Sequence, residues 1–214
     1  GGYNGSGFRP KGFDLFNHFA KGSHPAHDIF IRDKNQDSID DVFGDYVDVV
    51  AVSDGFILAV ETEWQAGSEY RGGNYVWLYD FKTGGLWYFA HQRKVYVHEG
   101  QFVKAGDKLA EVGRTGYNAA AKRSDTHLHL MYLHIEPDFS PRPLNTFGWL
   151  KNAMTVHVAT VPTPVFQPEK SSELVTTIQK KSYRPLPTHY MERLSRKINY
   201  YPRKNAADKL RKGF

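Results

Sequence analysis

Short runs of apolar, β-branched and aromatic residues, separated by glycine turns, occupy the chain from about residue 47 to residue 133. Two runs flank Asp54-Gly55, which is a hairpin or turn signal, and two more flank Gly84-Gly85. The run THLHLMYLHI at 126–135 is predicted to be the last strand. Short strands with tight turns are typical of all-β domains, whereas βαβ units would need intervening helical patterns. The pattern therefore predicts a mainly β fold, a compact antiparallel domain of the sandwich or barrel-like kind.

The pattern changes after about residue 150. The run VPTPVFQPEKSS is typical of a proline-containing linker, and Met191, Leu194 and Ile198 then share one face of a predicted basic helix near 188–200. We therefore divide the chain into an N-terminal segment (1–20), a β domain (21–150) and a linker with a basic, partly helical tail (151–214).

Charge is unevenly distributed between these parts. Residues 1–150 carry 15 Lys and Arg against 19 Asp and Glu, whereas residues 151–214 carry 13 against 4. The net charge of +5 therefore belongs to the tail, and the β domain lacks the basic footprint of a nucleic-acid-binding protein. We interpret the tail as a helix docked on its own domain or as a partly disordered segment; the alternative is contact with an anionic polymer or a membrane surface.

Two further features of composition limit the function. No uncharged apolar run approaches the roughly 18 residues of a membrane-spanning helix. The chain contains no cysteine, so any metal site must use His, Asp and Glu ligands. The chain begins with Gly1-Gly2 rather than Met, and its start therefore carries no information about export.

The ten histidines include one H-x-H pair, His127 and His129, which would share one face of a strand. Composition alone predicts about half of one such pair, so the spacing is weak support for a metal site. The H-x-x-x-D spacing occurs twice, as His24…Asp28 and His134…Asp138. His134 lies an odd number of residues from the H-x-H pair and would face the opposite way, which favours a structural or surface role for it.

Three segments together resemble a known family. HPAHDIFI, then YFAHQRKVYVHEGQFVKAGDKLAEVGRTG, then THLHL occur in the order found in lysostaphin/LytM-type zinc metallopeptidases. The resemblance covers roughly residues 20–133. It implies a compact β fold with a substrate groove, one bound zinc ion, and cleavage of peptides in bacterial cell-wall peptidoglycan, and hence an extracellular, periplasmic or cell-envelope location.

Transferred residue by residue, the resemblance assigns the zinc ligands to His24, Asp28 and His129. It assigns the catalytic histidines to His91 and His127. His91 ends the run LWYFAH, and we expect it at a sheet end. His27 stands where the family usually has glycine; we interpret it as structural or solvated rather than as a pocket residue.

The donor set agrees with this chemistry. Two histidines and one aspartate leave the fourth position of a tetrahedral zinc ion open, as catalytic sites require. Bound zinc lowers the pKa of water to about 7 and polarises a carbonyl. The chain has no H-E-x-x-H glutamate, so His91 and His127 are the candidates for proton transfer.

The acidic run DKNQDSIDD at 33–41 suggests a second ion. Its oxygens at Asp33, Asn35, Asp37 and Asp41 resemble the start of an EF-hand calcium loop, but Ser38 replaces the expected glycine and Gly44 replaces the bidentate glutamate. We favour a solvated acidic turn and keep calcium as the alternative.

The resemblance, together with the donor set, therefore implies a zinc metalloendopeptidase acting on peptidoglycan cross-link or stem peptides. The alternative is a non-catalytic cell-wall-binding or regulatory module on the same fold. All five family positions are present in the chain, which argues against the alternative.

Overall fold

The structure is a computed structural model that describes residues 3–15, 22–68 and 70–153. These residues belong to one compact unit, Gly1–Ala159. Nearly all of the predicted linker and tail, including the helix near 188–200, lies outside the described residues. The domain boundaries therefore stay predictions.

Nine strands and little helix make up the described part of the chain. The strands are β1 (His27–Phe30), β2 (Asp48–Val50), β3 (Gly55–Glu61), β4 (Asn74–Asp80), β5 (Leu86–Val95), β6 (Phe102–Val103), β7 (Lys108–Val112), β8 (His127–Ile135) and β9 (Pro141–Leu144), with a 3₁₀ turn at Tyr3–Gly5 and a helix α1 at Phe147–Lys151. Every strand pairing is antiparallel, which confirms the predicted mainly β, antiparallel fold. None of the helices in these residues is long and apolar enough to span a membrane.

The strands form one hydrogen-bonded sheet that branches at β5. The main path runs β1-β8-β5-β4-β3-β6, while β7 joins β5 to β2, and β9 pairs with β8. Residues 86–90 of β5 pair with β8, and residues 92–95 pair with β7. Strand β5 therefore changes its partner strand at His91, the residue between these two halves.

Some of the predicted connections are confirmed and others are wrong. The turn at Gly84-Gly85 does join the antiparallel pair β4 and β5, and Gly84 has a φ of +70° that favours glycine. Asp54-Gly55 does separate two strands, but these do not form a hairpin, because β2 pairs with β7 while β3 pairs with β4 and β6. The strand β8 is not the last one, since the proline-containing edge strand β9 follows it.

The hydrophobic core lies on one face of the central strands. Trp87 and Phe89 of β5 pack in it with Leu130 and Tyr132 of β8, and all four side chains are buried. Because successive side chains of a strand point to opposite faces, this packing directs the intervening residues of β8 to the other face. That face carries His129.

Candidate metal centre and surrounding histidines

The pairing of β1 with β8 creates the candidate site. Asp28 lies directly opposite His129, and Phe30 lies directly opposite His127. Residues paired across an antiparallel ladder share one face of the sheet, and so do residues two apart in a strand. Four side chains from two strands therefore project from the face opposite the core.

Three potential metal ligands converge on this face. His24 Nε2 lies 3.1 Å from Asp28 Oδ1, and His129 Nδ1 lies 3.0 Å from the same oxygen. One ligand atom from each residue falls within 4.8 Å of the other two. Among the residues that the structure describes, only this group of three or more His, Asp or Glu side chains has such a geometry.

The N-terminal segment holds His24 in place. Arg9 and His24 form a backbone bridge with N–H to carbonyl distances of 2.8 Å and 2.7 Å. The Nδ1–H of His24 donates to the carbonyl of Gly7 at 2.9 Å, which directs Nε2 towards Asp28. Histidines that bind metals almost always have such a partner on the second ring nitrogen.

The electrostatics of this group favour a cation. Burial raises the pKa of Asp28, but hydrogen bonds from His129 and His24 outweigh it and hold that pKa well below the usual range. The hydrogen bond to Asp28 raises the pKa of His24, whereas burial lowers the pKa of His129. An ionised carboxylate therefore lies between two imidazoles at neutral pH, which is a suitable donor set for a divalent metal.

His91 reaches the same face through a β-bulge. Its strand neighbour Ala90 pairs with His129, so regular alternation would direct His91 towards the core with Phe89. Instead the register with β4 skips His91, and the residue adopts a φ of +67°. Its ring centroid lies 4.9 Å from that of His127 and 5.5 Å from that of His129.

The prediction that His91 lies at a sheet end is therefore wrong. The strand continues for four residues to Val95, and the bulge turns the side chain within it. Bulges occur preferentially where a side chain must be redirected, often next to active sites.

His91 and His127 share a hydrogen-bond arrangement. The Nδ1–H of His91 donates to the carbonyl of Thr115 at 2.9 Å, and that of His127 donates to the carbonyl of Asp125 at 2.7 Å. These contacts assign the proton to Nδ1 and leave Nε2 as the acceptor in each neutral ring. Burial, with the nearby rings of His129 and His127, lowers the pKa of His91 to about 3, so this imidazole is neutral at physiological pH.

One exposed aromatic side chain lies against His127, and a second follows Gly116, the glycine that approaches the His91 ring. Phe30 is 52% exposed, and its ring centroid lies 5.3 Å from that of His127. Tyr117 is 65% exposed on the loop that follows Gly116, and the guanidinium of Arg71 lies 5.0 Å from its ring centroid. Exposed aromatic rings beside a polar cluster are suited to contact a bound chain.

The second H-x-x-x-D pair is not brought together in this way. His134 Nε2 lies 3.9 Å from a carboxylate oxygen of Glu136, while Asp138 accepts hydrogen bonds from the N–H and hydroxyl of Ser140. This agrees with a surface role for the pair.

His27 lies on the face of β1 opposite to Asp28. It is buried, its ring lies 5.9 Å from that of Phe8 and 6.1 Å from that of Phe147, and its Nε2 contacts Asn145 Oδ1 at 3.0 Å. The contacts identify His27 as a structural residue that connects the N-terminal segment to α1.

The acidic loop uses its oxygens to stabilise its own backbone. Asp33 accepts hydrogen bonds from the N–H groups of Asp37 and Ser38, and Asp41 accepts one from the N–H of Lys34. The Asn35 amide donates to Asp37. Side chains that satisfy local backbone donors in this way are typical of Asx turns, and this arrangement favours the turn over the calcium site.

Comparison with known families identifies the chain. The model of peptidase family M23 matches residues 35–141, which is half of the chain. The chain belongs to peptidase family M23. The matched segment contains His91, His127 and His129 but begins after His24 and Asp28, so the association of these two residues with the family site rests on geometry.

Solved structures of similar proteins include two of lysostaphin from Staphylococcus simulans. Its catalytic domain is 26% identical, with 71% of this chain and 91% of that chain covered and a TM-score of 0.46. The structure described as lysostaphin itself is 27% identical, with 76% of this chain and 55% of that chain covered and a TM-score of 0.46. A putative glycyl-glycine endopeptidase from Ruminococcus gnavus is 27% identical over 49% of this chain and 39% of that chain, with a TM-score of 0.41. A search of the curated proteins found no match.

Several contacts of this M23 peptidase site are not evident from the sequence. The carbonyl groups of Gly7, Thr115 and Asp125 orient the three histidine rings, and a backbone carbonyl leaves no signature in residue type. Phe30 does have a signal in the sequence, because residues two apart in a strand share a face and Asp28 is a predicted ligand.

Proposed function

We propose that this M23 peptidase is a zinc-dependent metalloendopeptidase that hydrolyses peptide bonds in bacterial peptidoglycan. One observation carries the proposal: the ligand atoms of His24, Asp28 and His129 converge to within 4.8 Å of one another. This geometry favours a metal-dependent enzyme over a non-catalytic binding module, because it preserves a complete ligand set beside two further histidines.

The donor set fits zinc. Two imidazole nitrogens and one carboxylate oxygen are common zinc ligands, and three protein ligands leave a position for water or substrate. When bound, zinc supplies Lewis acidity for the scissile carbonyl and lowers the pKa of water to about 7. The hydrogen bond from His24 to the Gly7 carbonyl supports the ligand role of Nε2, because it fixes the tautomer and the ring orientation.

We assign the proton transfers to His91 and His127. The Nδ1–H of each ring is already committed to a carbonyl, so Nε2 can accept a proton from the attacking water and later give it to the leaving amine. His127 Nε2 lies 3.8 Å from Asp28 Oδ1, which places this ring next to the candidate metal ligands.

The substrate proposal combines this site with the family resemblance. Lysostaphin/LytM-type peptidases cleave peptidoglycan peptides, and the exposed ring of Phe30 beside His127 suits contact with an extended peptide. An enzyme with this substrate would act outside the cytoplasm, in the cell envelope or beyond it. Contact of the basic tail with an anionic polymer is a separate proposal that concerns residues outside the described part.

Digestion of purified peptidoglycan tests the proposal. We expect the protein to release soluble fragments, a chelator to stop the release, and mass spectrometry to identify new amino and carboxyl ends within the peptide part. His129→Ala should be inactive, and His134→Ala should act as the matched control with normal activity. Binding to peptidoglycan without any released peptide ends would instead support the non-catalytic module.

A further inference from the structure

The side chain of Thr115 connects β4 to β5 next to the bulge at His91. Its hydroxyl accepts a hydrogen bond from the N–H of Asn74 at 2.9 Å and donates one to the carbonyl of Gln92 at 2.8 Å. Asn74 begins β4, and Gln92 follows His91 in β5. The hydroxyl therefore occupies a place between two paired residues where a regular ladder would use backbone groups alone.

Two further hydrogen bonds stabilise the bulge. The N–H of His91 donates to the carbonyl of Gly72 at 2.9 Å, and the buried side-chain amide of Gln92 donates to the carbonyl of Ala90 at 2.8 Å. The Gln92 contact spans the bulged residue. The unusual backbone of His91 is thus maintained by hydrogen bonds to both neighbouring segments.

Thr115 also contacts the ring of His91, through its main chain. The Nδ1–H of His91 donates to the Thr115 carbonyl at 2.9 Å, and this contact selects the tautomer with an unprotonated Nε2. One residue therefore supports the backbone of His91 through its hydroxyl and the ring of His91 through its carbonyl. A shift of Thr115 would change both at once.

The surrounding backbone is too closely packed to absorb such a shift. A Cβ on Gly73 would lie 2.3 Å from the carbonyl carbon of Thr115, and a Cβ on Gly116 would lie 2.8 Å from His91 Nδ1. Both glycines have positive φ values, +73° and +104°. Only glycine permits this approach of the two segments, which places Thr115 and His91 in direct contact.

We propose that Thr115 is a positioning residue for the reaction, and that its hydroxyl keeps its carbonyl where it orients the His91 ring. The inference rests on the proposed function, in which His91 transfers protons. Loss of the hydroxyl leaves the Asn74 N–H and the Gln92 carbonyl without this partner. The Thr115 carbonyl then moves, and His91 Nε2 is no longer aimed at the substrate.

Thr115→Val tests this inference in the full-length, zinc-loaded protein, because valine preserves shape and lacks the hydroxyl. We expect kcat to fall about 10- to 100-fold with KM and zinc content unchanged, as for a small displacement of a catalytic group. Thr115→Ser, which keeps the hydroxyl, should restore kcat. Thr83→Val in the turn between β4 and β5 is the matched control and should leave kcat unchanged. If Thr115→Val does not fold, Thr115→Ala removes the same hydroxyl and introduces a smaller side chain.

A spectroscopic measurement tests the inference independently of activity. The imidazole ¹⁵N chemical shifts of His91, assigned with His91→Gln, should report the Nδ1–H tautomer in the wild type and in Thr115→Ser, and a changed tautomer mixture in Thr115→Val. Wild-type shifts in Thr115→Val would overturn the inference, as would changed shifts with an unchanged kcat. A wild type that cleaves nothing but shows the expected shifts would contradict the proposed function and leave the role of Thr115 towards His91 supported.

Discussion

Asp28 and His129 lie directly opposite each other on strands β1 and β8, with Oδ1 and Nδ1 3.0 Å apart. His24 Nε2 approaches the same oxygen at 3.1 Å. The ladder between β1 and β8 therefore brings together ligands that are about a hundred residues apart in sequence. A metal at this position would link the two strands to His24, which precedes β1.

The first prediction concerns metal retention. His129→Ala should lose the bound zinc, because two ligands remain of a three-ligand protein site. Zinc per chain, measured by elemental analysis after dialysis, should fall from about one to nearly zero. His134→Ala on the same strand should retain the wild-type stoichiometry, and zinc loss in that variant would contradict the strand-facing argument.

The second prediction separates catalysis from metal binding. His127→Ala should keep one zinc per chain and lower kcat about 10²- to 10⁴-fold, which is the usual contribution of general acid–base catalysis. His91→Ala should behave in the same way. Steady-state kinetics on peptidoglycan fragments, together with zinc analysis of the same samples, check this. A His127→Ala enzyme with the wild-type rate would show that the role assignment is wrong.

Part of this site could be predicted from the sequence. The shared face of His127 and His129 follows from strand periodicity, and the opposite orientation of His134 follows from the same rule. The turn at Gly84-Gly85 follows from turn chemistry. These features depend on neighbouring residues only, so the local pattern contains them.

Other parts depend on contacts that the local pattern does not contain. Alternation along β5 would direct His91 into the core, and only the bulge against β4 returns it to the site. The orientation of His24 depends on Arg9 and Gly7, which precede it by fifteen residues or more. Asp54-Gly55 is a hairpin or turn signal in the sequence, but Val49 before it pairs with Ala110 of β7, because the choice of partner strand is a long-range property.

The third prediction concerns pH and the metal-free protein. The pKa of His91 is lowered to about 3 in the fold, whereas an unfolded histidine titrates near 6.5. Between these values the unfolded chain binds more protons than the native protein, so the free energy of unfolding falls as the pH is lowered from about 6.5 towards 3. One such group changes the free energy of unfolding by up to about 1.4 kcal/mol per pH unit.

Denaturant unfolding of the metal-free wild type and of His91→Gln at a series of pH values measures this contribution. The variant should show a shallower decline in the free energy of unfolding between pH 6 and pH 4. The two proteins are compared by the slope of the free energy of unfolding against pH. A change in stability that the substitution causes equally at every pH does not affect this slope. Parallel curves for the two proteins would show that His91 does not titrate in this manner.

The fourth prediction concerns the acidic loop. Asp33 accepts hydrogen bonds from two N–H groups and from the Thr126 hydroxyl, so Asp33→Ala should lower the free energy of unfolding by about 1–3 kcal/mol. Asp41→Ala removes the acceptor of one exposed contact and should cost less. Thermal denaturation with and without millimolar calcium checks both variants. A calcium-dependent rise in Tm in the wild type that Asp33→Ala abolishes would support the calcium loop instead.

Reconstitution with zinc tests the central claim most directly. Metal-free protein is titrated with zinc while the release of new peptide ends from purified peptidoglycan is followed. The account predicts no release without metal and a maximum rate at one zinc per chain, with no recovery at the same zinc concentrations in His129→Ala. Full activity in the zinc-free protein, or equal recovery in His129→Ala, would contradict it.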